Sequence, residues 1–302
     1  MKTIKQFIVR LFVFFAGVIS LALALILLGN KAASETSLYR TVAGKTIFLF
    51  GHSRTAYAYN DSLIPRVRNF ANTAEPYFFT SAKVDKLLSA NPQVKTIVVE
   101  LSEIHMSERQ TNEWTNGNGF IQHHLPNYGP LITLKQHCQL LQRNTKEYLN
   151  TLPLTTKQNL LLLLKPKQTI FSSRNFGGYL VHDSSLVDFK RDQNNQNPKK
   201  GLMVSDSSPD LVYLDAIAEL CNQKKVRLIL LRSPVHRDFG MGGYDSVWHS
   251  VYRTKYSNYT VIDFSSYPLP DEGFYDYHHL NRRGAGILSP KLDSALYAAG
   301  AK

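Results

Sequence analysis

Short, largely apolar runs recur along the chain and end at glycine or polar residues. Five of them have the composition of buried strands: Thr46–Phe50, Val67–Phe70, Lys95–Leu101, Val226–Leu231 and Tyr259–Asp263. Two segments between the runs space their apolar residues as helices do: Pro76–Ala90 and Leu211–Cys221. A short helix is also expected after the first run, capped by Asn60, Asp61 or Ser62. Strands that alternate with helices predict an α/β fold with a doubly wound, parallel, five-stranded sheet.

The alternation breaks between Glu103 and Asp206. Because this stretch is too long for a structureless loop, we expect a mainly helical inserted cap at about residues 103–206. The leucines at 160–164 are too few to span a membrane and are expected in the core. Three aromatic residues of the cap would stack on sugar rings or form a small core of their own: Trp114, Tyr128 and Tyr179.

The first thirty residues are basic and then apolar. Lys2, Lys5 and Arg10 flank or precede the run Leu11–Leu28, which holds no charged residue. At 1.5 Å per residue this run, extended to residues 7–28, approaches the ~30 Å hydrocarbon thickness of a bilayer. We therefore expect these residues to contact membrane lipid.

The positive flank predicts the topology, because such flanks stay in the cytoplasm. Residues 1–33 are expected to form a cytoplasmic tip and a single-pass anchor. Residues 34–302 are expected to form one extracytoplasmic domain, periplasmic or at the cell surface. A cleaved signal peptide is the alternative, although Gly29–Ala33 matches a cleavage site poorly.

The net charge and the cysteine content limit which binding partners and which cysteine sites are expected. The formal net charge is +12, but no zinc, helix-turn-helix or RNA-recognition signature accompanies it, so no nucleic-acid partner is expected. A basic surface also suits anionic lipid or an acidic polymer. Cys138 and Cys221 are too few for a cysteine-rich metal site; they form either one disulfide or two separate buried thiols.

A serine follows the first predicted strand, in the sequence Gly51-His52-Ser53-Arg54-Thr55. Ligands of parallel α/β sheets bind at the carboxyl ends of strands, and Gly51 permits a tight turn that would project the Ser53 hydroxyl above the sheet edge. The sequence is not a G-x-S-x-G nucleophile elbow, since Thr55 occupies the second glycine position. Serines in this place also cap helices, so both interpretations stay open here.

Asp276 and His279 lie three residues apart in a loop before the last predicted helix. At this spacing the carboxylate can reach the imidazole, fix its tautomer and support the imidazolium form. The other ring nitrogen would then accept the proton of Ser53. Asn281 follows directly and would cap the helix.

These motifs together resemble the SGNH (GDSL-like) hydrolase superfamily, in particular its membrane-anchored, envelope-facing branches related to polysaccharide O-acetyltransferases. The residues that carry the resemblance are Gly51-x-Ser53 and Asp276-x-x-His279-Leu280-Asn281 with Gly284-Ala285. The order of strands and helices between them agrees. The resemblance implies Ser53 as nucleophile, His279 as general base and Asp276 as its partner.

Three positions depart from the pattern of that superfamily. His52 stands where aspartate is usual, Ala71 stands at the glycine whose amide donates to the oxyanion, and Glu100-Leu101-Ser102-Glu103 replaces G-x-N-D. A backbone donor does not have to be glycine. We therefore expect the oxyanion to be bound by the amides of Ser53 and Ala71, with the Asn72 side chain as a further donor.

His52 and Arg54 flank Ser53 and are assigned to the same oxyanion and substrate region. Arg54 would bind a carboxylated glycan or form a surface salt bridge. His52, Asp276, His278 and His279 also offer metal-ligand groups, but no pair has H-x-x-x-H spacing. We expect neither a metal ion nor an organic cofactor.

The sequence thus predicts a membrane-anchored serine esterase or O-acyltransferase. Its acylated carbohydrate substrate, chiefly an acetyl ester of the cell envelope, is implied by the resemblance alone. The alternative is a catalytically degenerate relative that binds glycan or scaffolds an envelope assembly, and the altered positions His52 and Ala71 favour it.

Overall fold

The computed structural model of the protein describes residues 2–35, 39–41, 44–107, 119–164, 176–185, 208–239 and 242–301. Within these residues one sheet is formed by β1 (Ile47–Phe50), β2 (Val67–Asn69), β3 (Thr96–Glu100), β4 (Arg227–Arg232) and β5 (Thr260–Asp263). Neighbouring strands are parallel and their spatial order is β2-β1-β3-β4-β5. The predicted α/β fold with a doubly wound five-stranded sheet is confirmed.

The strands are apolar throughout because both faces of the sheet are covered. Phe48 and Phe50 of β1 enter a core shared with the helices Tyr77–Ala90 and Leu211–Lys224. Ile47 and Leu49 enter a second core on the opposite face, shared with the helices Ser53–Ala58 and Arg282–Ala298. Successive side chains of a strand point to opposite faces, so one four-residue strand contributes side chains to both cores.

The described helices are α1 (Lys2–Ala33), α2 (Ser53–Ala58), α3 (Tyr77–Ala90), α4 (Phe120–Tyr128), α5 (Leu134–Arg143), α6 (Thr145–Leu164), α7 (Leu211–Lys224), α8 (Gly242–Val251) and α9 (Arg282–Ala298). The two predicted helices correspond to α3 and α7. The predicted helix after Asn60 is wrong, because α2 precedes that position. Asn60 Oδ1 instead accepts the Ser62 N–H at 3.0 Å and closes a turn.

The described part of the predicted cap is mainly helical, in α4, α5 and α6. Tyr128 is fully buried in a core between α3 and α4, so of its two predicted roles the core role is confirmed. Leu160 and Leu161 are 43% and 44% exposed, so the expectation that this leucine run is core is wrong for both. Trp114 lies outside the described residues.

The apolar helix α1 is long and apolar enough to be a membrane anchor or a signal sequence, with a mean hydropathy of 2.9 over its most apolar 18 residues. Its last turn packs against the cap. Asn159 of α6 donates from Nδ2 to Asn30 Oδ1 at 2.5 Å, and the Ala33 carbonyl accepts the Tyr39 hydroxyl at 2.8 Å. The anchor-like helix and the cap are therefore in direct contact.

Both cysteines are free thiols, with Cys138 exposed and Cys221 buried. The disulfide alternative is therefore wrong. Of the two thiols predicted to be buried, only Cys221 is.

Candidate functional site

The turn between β1 and α2 places Ser53 at the carboxyl edge of the sheet. Gly51 follows the strand, and a Cβ at this position would lie 2.8 Å from Thr55 Cβ and 2.9 Å from Glu100 Cβ. Glycine is required because the neighbouring strand approaches so closely. His52 is the N-cap of α2, and Ser53 is its first residue.

Ser53, His279 and Asp276 meet in one continuous set of hydrogen bonds. The Ser53 Oγ lies 2.8 Å from His279 Nε2, and His279 Nδ1 lies 2.9 Å from Asp276 Oδ2. Asp276 Oδ1 accepts the backbone N–H groups of His278 and His279, at 2.7 Å and 2.8 Å. The sequence-predicted arrangement of the three side chains is present, with the carboxylate behind the imidazole.

The environment of Asp276 keeps it ionised. Burial alone would raise its pKa, but the side-chain hydrogen bond and charge of His279, together with two backbone N–H groups, lower the pKa to about 2. An ionised carboxylate accepts the Nδ1–H of His279. That tautomer leaves Nε2 free to accept the proton of Ser53.

Asn281 sets the position of this loop. Its Oδ1 accepts the N–H groups of Arg283 and Gly284 at 3.0 Å and 3.1 Å, which confirms the predicted cap of α9. Its Nδ2 donates to the carbonyls of Glu272 and Phe274 at 2.8 Å and 3.1 Å. One side chain thus joins the start of the helix to the segment that leads into Asp276.

His52, which the sequence assigns to the oxyanion and substrate region, is buried. Its ring is 3% exposed, its Nδ1 accepts the Arg54 N–H at 3.5 Å, and its Nε2 lies 3.3 Å from Glu100 Oε2. Burial, and then the charges of His105 and Arg54, lower its pKa well below the usual value, so the ring is neutral. The ring Nδ1 also lies 3.5 Å from the Ser53 Oγ.

Arg54 is a buried ion-pair residue, and the predicted surface salt bridge is wrong. Its side chain is 4% exposed, and Nη1 donates to Glu103 Oε2 at 2.9 Å. Glu103 Oε1 in turn accepts the Nε of Arg232 at 2.7 Å. One carboxylate just after β3 therefore pairs with two guanidinium groups, and Arg232 is paired with Asp245 as well, at 2.8 Å. The sequence signal for this network was weak, since Glu103 and Arg232 each follow a strand but are far apart along the chain.

The predicted oxyanion donor Ala71 is contradicted by the structure. Its N–H already donates to Asn69 Oδ1 at 2.8 Å, and the residue is fully buried. Asn72 donates its backbone N–H to the Gly51 carbonyl at 3.1 Å. The Asn72 side chain donates from Nδ2 to the Tyr128 hydroxyl at 3.4 Å and lines a cavity of about 250 Å³ with cap residues and Leu180, so its role as a donor to the oxyanion stays a prediction.

His278 lies beside the triad with its ring 4.1 Å from that of Phe239. Burial, followed by the charge of Arg54, lowers its pKa to about 4. The metal alternative required His52 and His278 to gather with Asp276, but His52 faces Glu100 instead. In the described ranges, no group of three or more His, Cys, Asp or Glu side chains is arranged to hold a metal ion.

Residues 176–185, which we call the strap, were not expected at the site from the sequence. The Gly178 N–H donates to the Ala71 carbonyl at 2.9 Å, and the Leu180 N–H donates to the Ala56 carbonyl at 2.8 Å. Further along, the His182 carbonyl accepts a backbone N–H from the start of α9 at 2.8 Å. The strap therefore connects the serine side of the site to the histidine side. No local pattern in the insertion indicates these long-range contacts.

Comparisons with known proteins add little to this geometry. One protein-family model, which carries no description, matches residues 189–298, and thus includes Asp276 and His279 but not Ser53. A search of curated proteins finds no match. Among solved structures, one from Bacteroides fragilis described as a "putative acylhydrolase" is 7% identical, with a TM-score of 0.41, over 89% of this chain and 95% of that chain. A likeness this distant carries no functional argument.

Proposed function

We propose that this protein is a membrane-anchored, extracytoplasmic serine esterase or O-acyltransferase acting on acyl, chiefly acetyl, esters of envelope carbohydrates. The observation that carries the proposal is the set of hydrogen bonds joining Ser53, His279 and Asp276 at the carboxyl edge of the sheet. The apolar helix α1 supports the location. The resemblance of the sequence motifs to envelope-facing SGNH proteins supports the substrate.

The reaction has two halves. In the first, the Ser53 Oγ attacks the acyl carbonyl while His279 Nε2 takes the hydroxyl proton. The proton then passes to the oxygen of the leaving alcohol, the ester bond breaks, and an acyl-enzyme is left. In the second, water or a sugar hydroxyl attacks the acyl-enzyme, His279 takes its proton, and Ser53 regains a proton as it leaves. Asp276 stays ionised throughout and stabilises the imidazolium.

The oxyanion of each tetrahedral intermediate needs donors near Ser53. The Ser53 backbone N–H is at the first position of α2, where N–H groups have no acceptor within the helix. This N–H is therefore one donor in the proposal. The Ala71 amide is engaged by Asn69, so the Asn72 side chain is the other donor in the proposal, and it would turn to the oxyanion from its long hydrogen bond with the Tyr128 hydroxyl.

The non-catalytic alternative is favoured by one observation, the engagement of the Ala71 amide. A site with a single backbone donor would stabilise the oxyanion less. The chain would then bind acylated glycan, with Ser53 and His279 lining the cleft, and would not turn it over.

A fluorophosphonate probe tests the proposal, because it reacts with activated serines. The wild type and Ser62→Ala, which removes an exposed serine hydroxyl away from the triad, should be labelled on the peptide that contains Ser53. Ser53→Ala should not be labelled and should release no acetate from acetylated glycan. Acetate release that persists in Ser53→Ala would overturn the covalent mechanism. Glycan binding without labelling of the wild type would support the alternative.

A further inference from the structure

A histidine of the strap is held between two tyrosines beside the catalytic imidazole. The His182 ring stacks on Tyr57 at 4.0 Å between centroids and 14° between planes, and on Tyr275 at 3.6 Å and 6°. Tyr57 meets the His279 ring edge-on at 5.4 Å, and the His182 and His279 centroids are 6.4 Å apart. Both faces of the His182 ring are therefore covered, and only its edge can meet a ligand.

The orientation of that edge is fixed by three separate elements. The His182 carbonyl accepts the Arg282 N–H at 2.8 Å, and Asp183 Oδ1 accepts the Arg282 Nε at 2.7 Å. Tyr57 belongs to α2 and Tyr275 to the loop that carries Asp276. A side chain already ordered in this way loses little entropy when it binds a ligand.

The polar atoms of the stack have no partner within the described ranges of the chain. Neither the ring nitrogens of His182 nor the hydroxyls of Tyr57 and Tyr275 make a hydrogen bond there, and all three side chains are half-buried, not enclosed. Burial, and then the nearby His279, lower the pKa of His182, so its imidazole is neutral. A neutral imidazole presents one N–H donor and one nitrogen acceptor.

We propose that the edge of His182 binds a hydroxyl group next to the reacting ester, and so selects acyl esters of polyhydroxy compounds over plain esters. This inference rests on the proposed function of the same site. A hydroxyl group fits because it both donates and accepts, as the neutral ring does, and the tyrosine hydroxyls can bind further hydroxyls of a sugar ring. A purely structural stack would hold the strap but would not discriminate between esters.

The test compares two acetate esters of similar shape. Methyl 6-O-acetyl-α-glucoside carries hydroxyls beside the ester, and cyclohexylmethyl acetate carries none. The measured quantity is the kcat/KM for acetate release from the glucoside divided by the kcat/KM for release from cyclohexylmethyl acetate. His182→Phe keeps a flat ring between the tyrosines but removes both nitrogens. This ratio should fall about tenfold in His182→Phe, the usual effect of losing one good hydrogen bond.

Two further variants separate recognition from a structural role. His182→Asn keeps a donor and an acceptor and should retain more of the ratio than His182→Phe. Val181→Ala is the matched control in the strap, since it shortens an exposed side chain next to His182 and should keep the wild-type ratio. An unchanged ratio in His182→Phe, or equal losses for both esters, overturns the inference.

If the wild type hydrolyses neither ester, the proposed function fails, and binding decides the inference. Ligand-observed NMR with the Ser53→Ala chain should then show the acetylated glucoside bound and the cyclohexyl ester unbound. Adding His182→Phe to Ser53→Ala should weaken binding of the glucoside about tenfold. Glucoside binding that does not depend on His182 overturns the inference independently of catalysis.

Discussion

The Oγ of Ser53 lies 2.8 Å from Nε2 of His279, although 226 residues separate them in the chain. The contact exists because β1 and the loop before α9 end at the same edge of the sheet. Ser53 begins a helix, and His279 ends a loop held by Asn281, so both side chains are supported by regular structure. Such support favours a fixed geometry of nucleophile and base.

The members of the triad should behave as one unit. Ser53→Ala, His279→Ala and the double variant are each expected to lower kcat for acetate release to the same residual value. Ser53→Ala removes the nucleophile and His279→Ala removes the base, and either loss alone prevents attack on the acyl carbonyl with transfer of the serine proton. Asp276→Asn should retain somewhat more activity, since the proton acceptor remains, while still losing about four orders of magnitude. Additive losses in the double variant would contradict this. Circular dichroism should show all four variants folded.

The carboxylate of Glu103 should be a large contributor to stability. Glu103→Gln leaves the guanidinium groups of Arg54 and Arg232 buried with one less counter-charge, which costs about 3–5 kcal/mol in comparable sites. The free energy of unfolding in urea measures the effect. Asp293→Asn is the control, because its ion pair with Arg66 is at the surface and should contribute less than about 1 kcal/mol. Equal effects of the two substitutions would refute the difference.

The attachment of the strap should depend on Gly177. This residue has φ of +102°, and an added Cβ would lie 2.7 Å from the Ala71 carbonyl oxygen. Gly177→Ala should therefore cost about 1–3 kcal/mol or detach the strap. Limited proteolysis read by mass spectrometry should show faster cleavage within residues 176–185. Gly286→Ala in α9, with no atom within 4 Å of the added Cβ, should leave the cleavage rate unchanged.

Mild acid should destabilise the fold through buried histidines. Burial lowers the pKa of His124 to about 3 from its usual value of 6.5. Between these pH values the unfolded chain binds a proton that the folded chain does not, so stability falls as the pH drops through this window, by up to about 1.4 kcal/mol per pH unit. His278, with a pKa of about 4, acts in the same direction.

The measurement is Tm as a function of pH between 7 and 4. His124→Gln should flatten the curve, because glutamine can still donate to the Ala74 carbonyl that His124 Nε2 contacts at 2.9 Å but does not titrate. His249→Gln, on an exposed part of α8, should leave the curve as it is. A wild-type Tm that is constant over this range would contradict the assignment.

The sheet could be predicted from the sequence because each strand is buried on both faces and is apolar for that reason. The run Thr46–Phe50 indicates β1 by itself, and the Asp276-x-x-His279 spacing indicates a local contact within one loop. Both are short-range patterns. The helix predicted after Asn60 was misplaced because capping residues also form turns, and there the turn was formed.

The parts that could not be predicted depend on distant partners. The resemblance to the SGNH superfamily implies Ala71 as an oxyanion donor, but its amide is engaged by an asparagine side chain whose orientation the sequence does not reveal. Arg54 was expected at the surface because arginines usually are, and only the fold brings Glu103 beneath it. His182 lies in an insertion without a motif, 97 residues before His279 in sequence number.

The contact between Asn30 and Asn159 has a mechanical consequence. If α1 spans a bilayer, the α/β domain does not move freely relative to the membrane helix, because the last turn of the helix is hydrogen-bonded to the cap. Ser53 would then lie at a constant distance from the lipid surface, and the domain would tilt only over a limited range. Only esters at that distance from the membrane would reach Ser53. The length of α1 and the packing of α6 would together determine this distance, and so the layer in which substrate is reached.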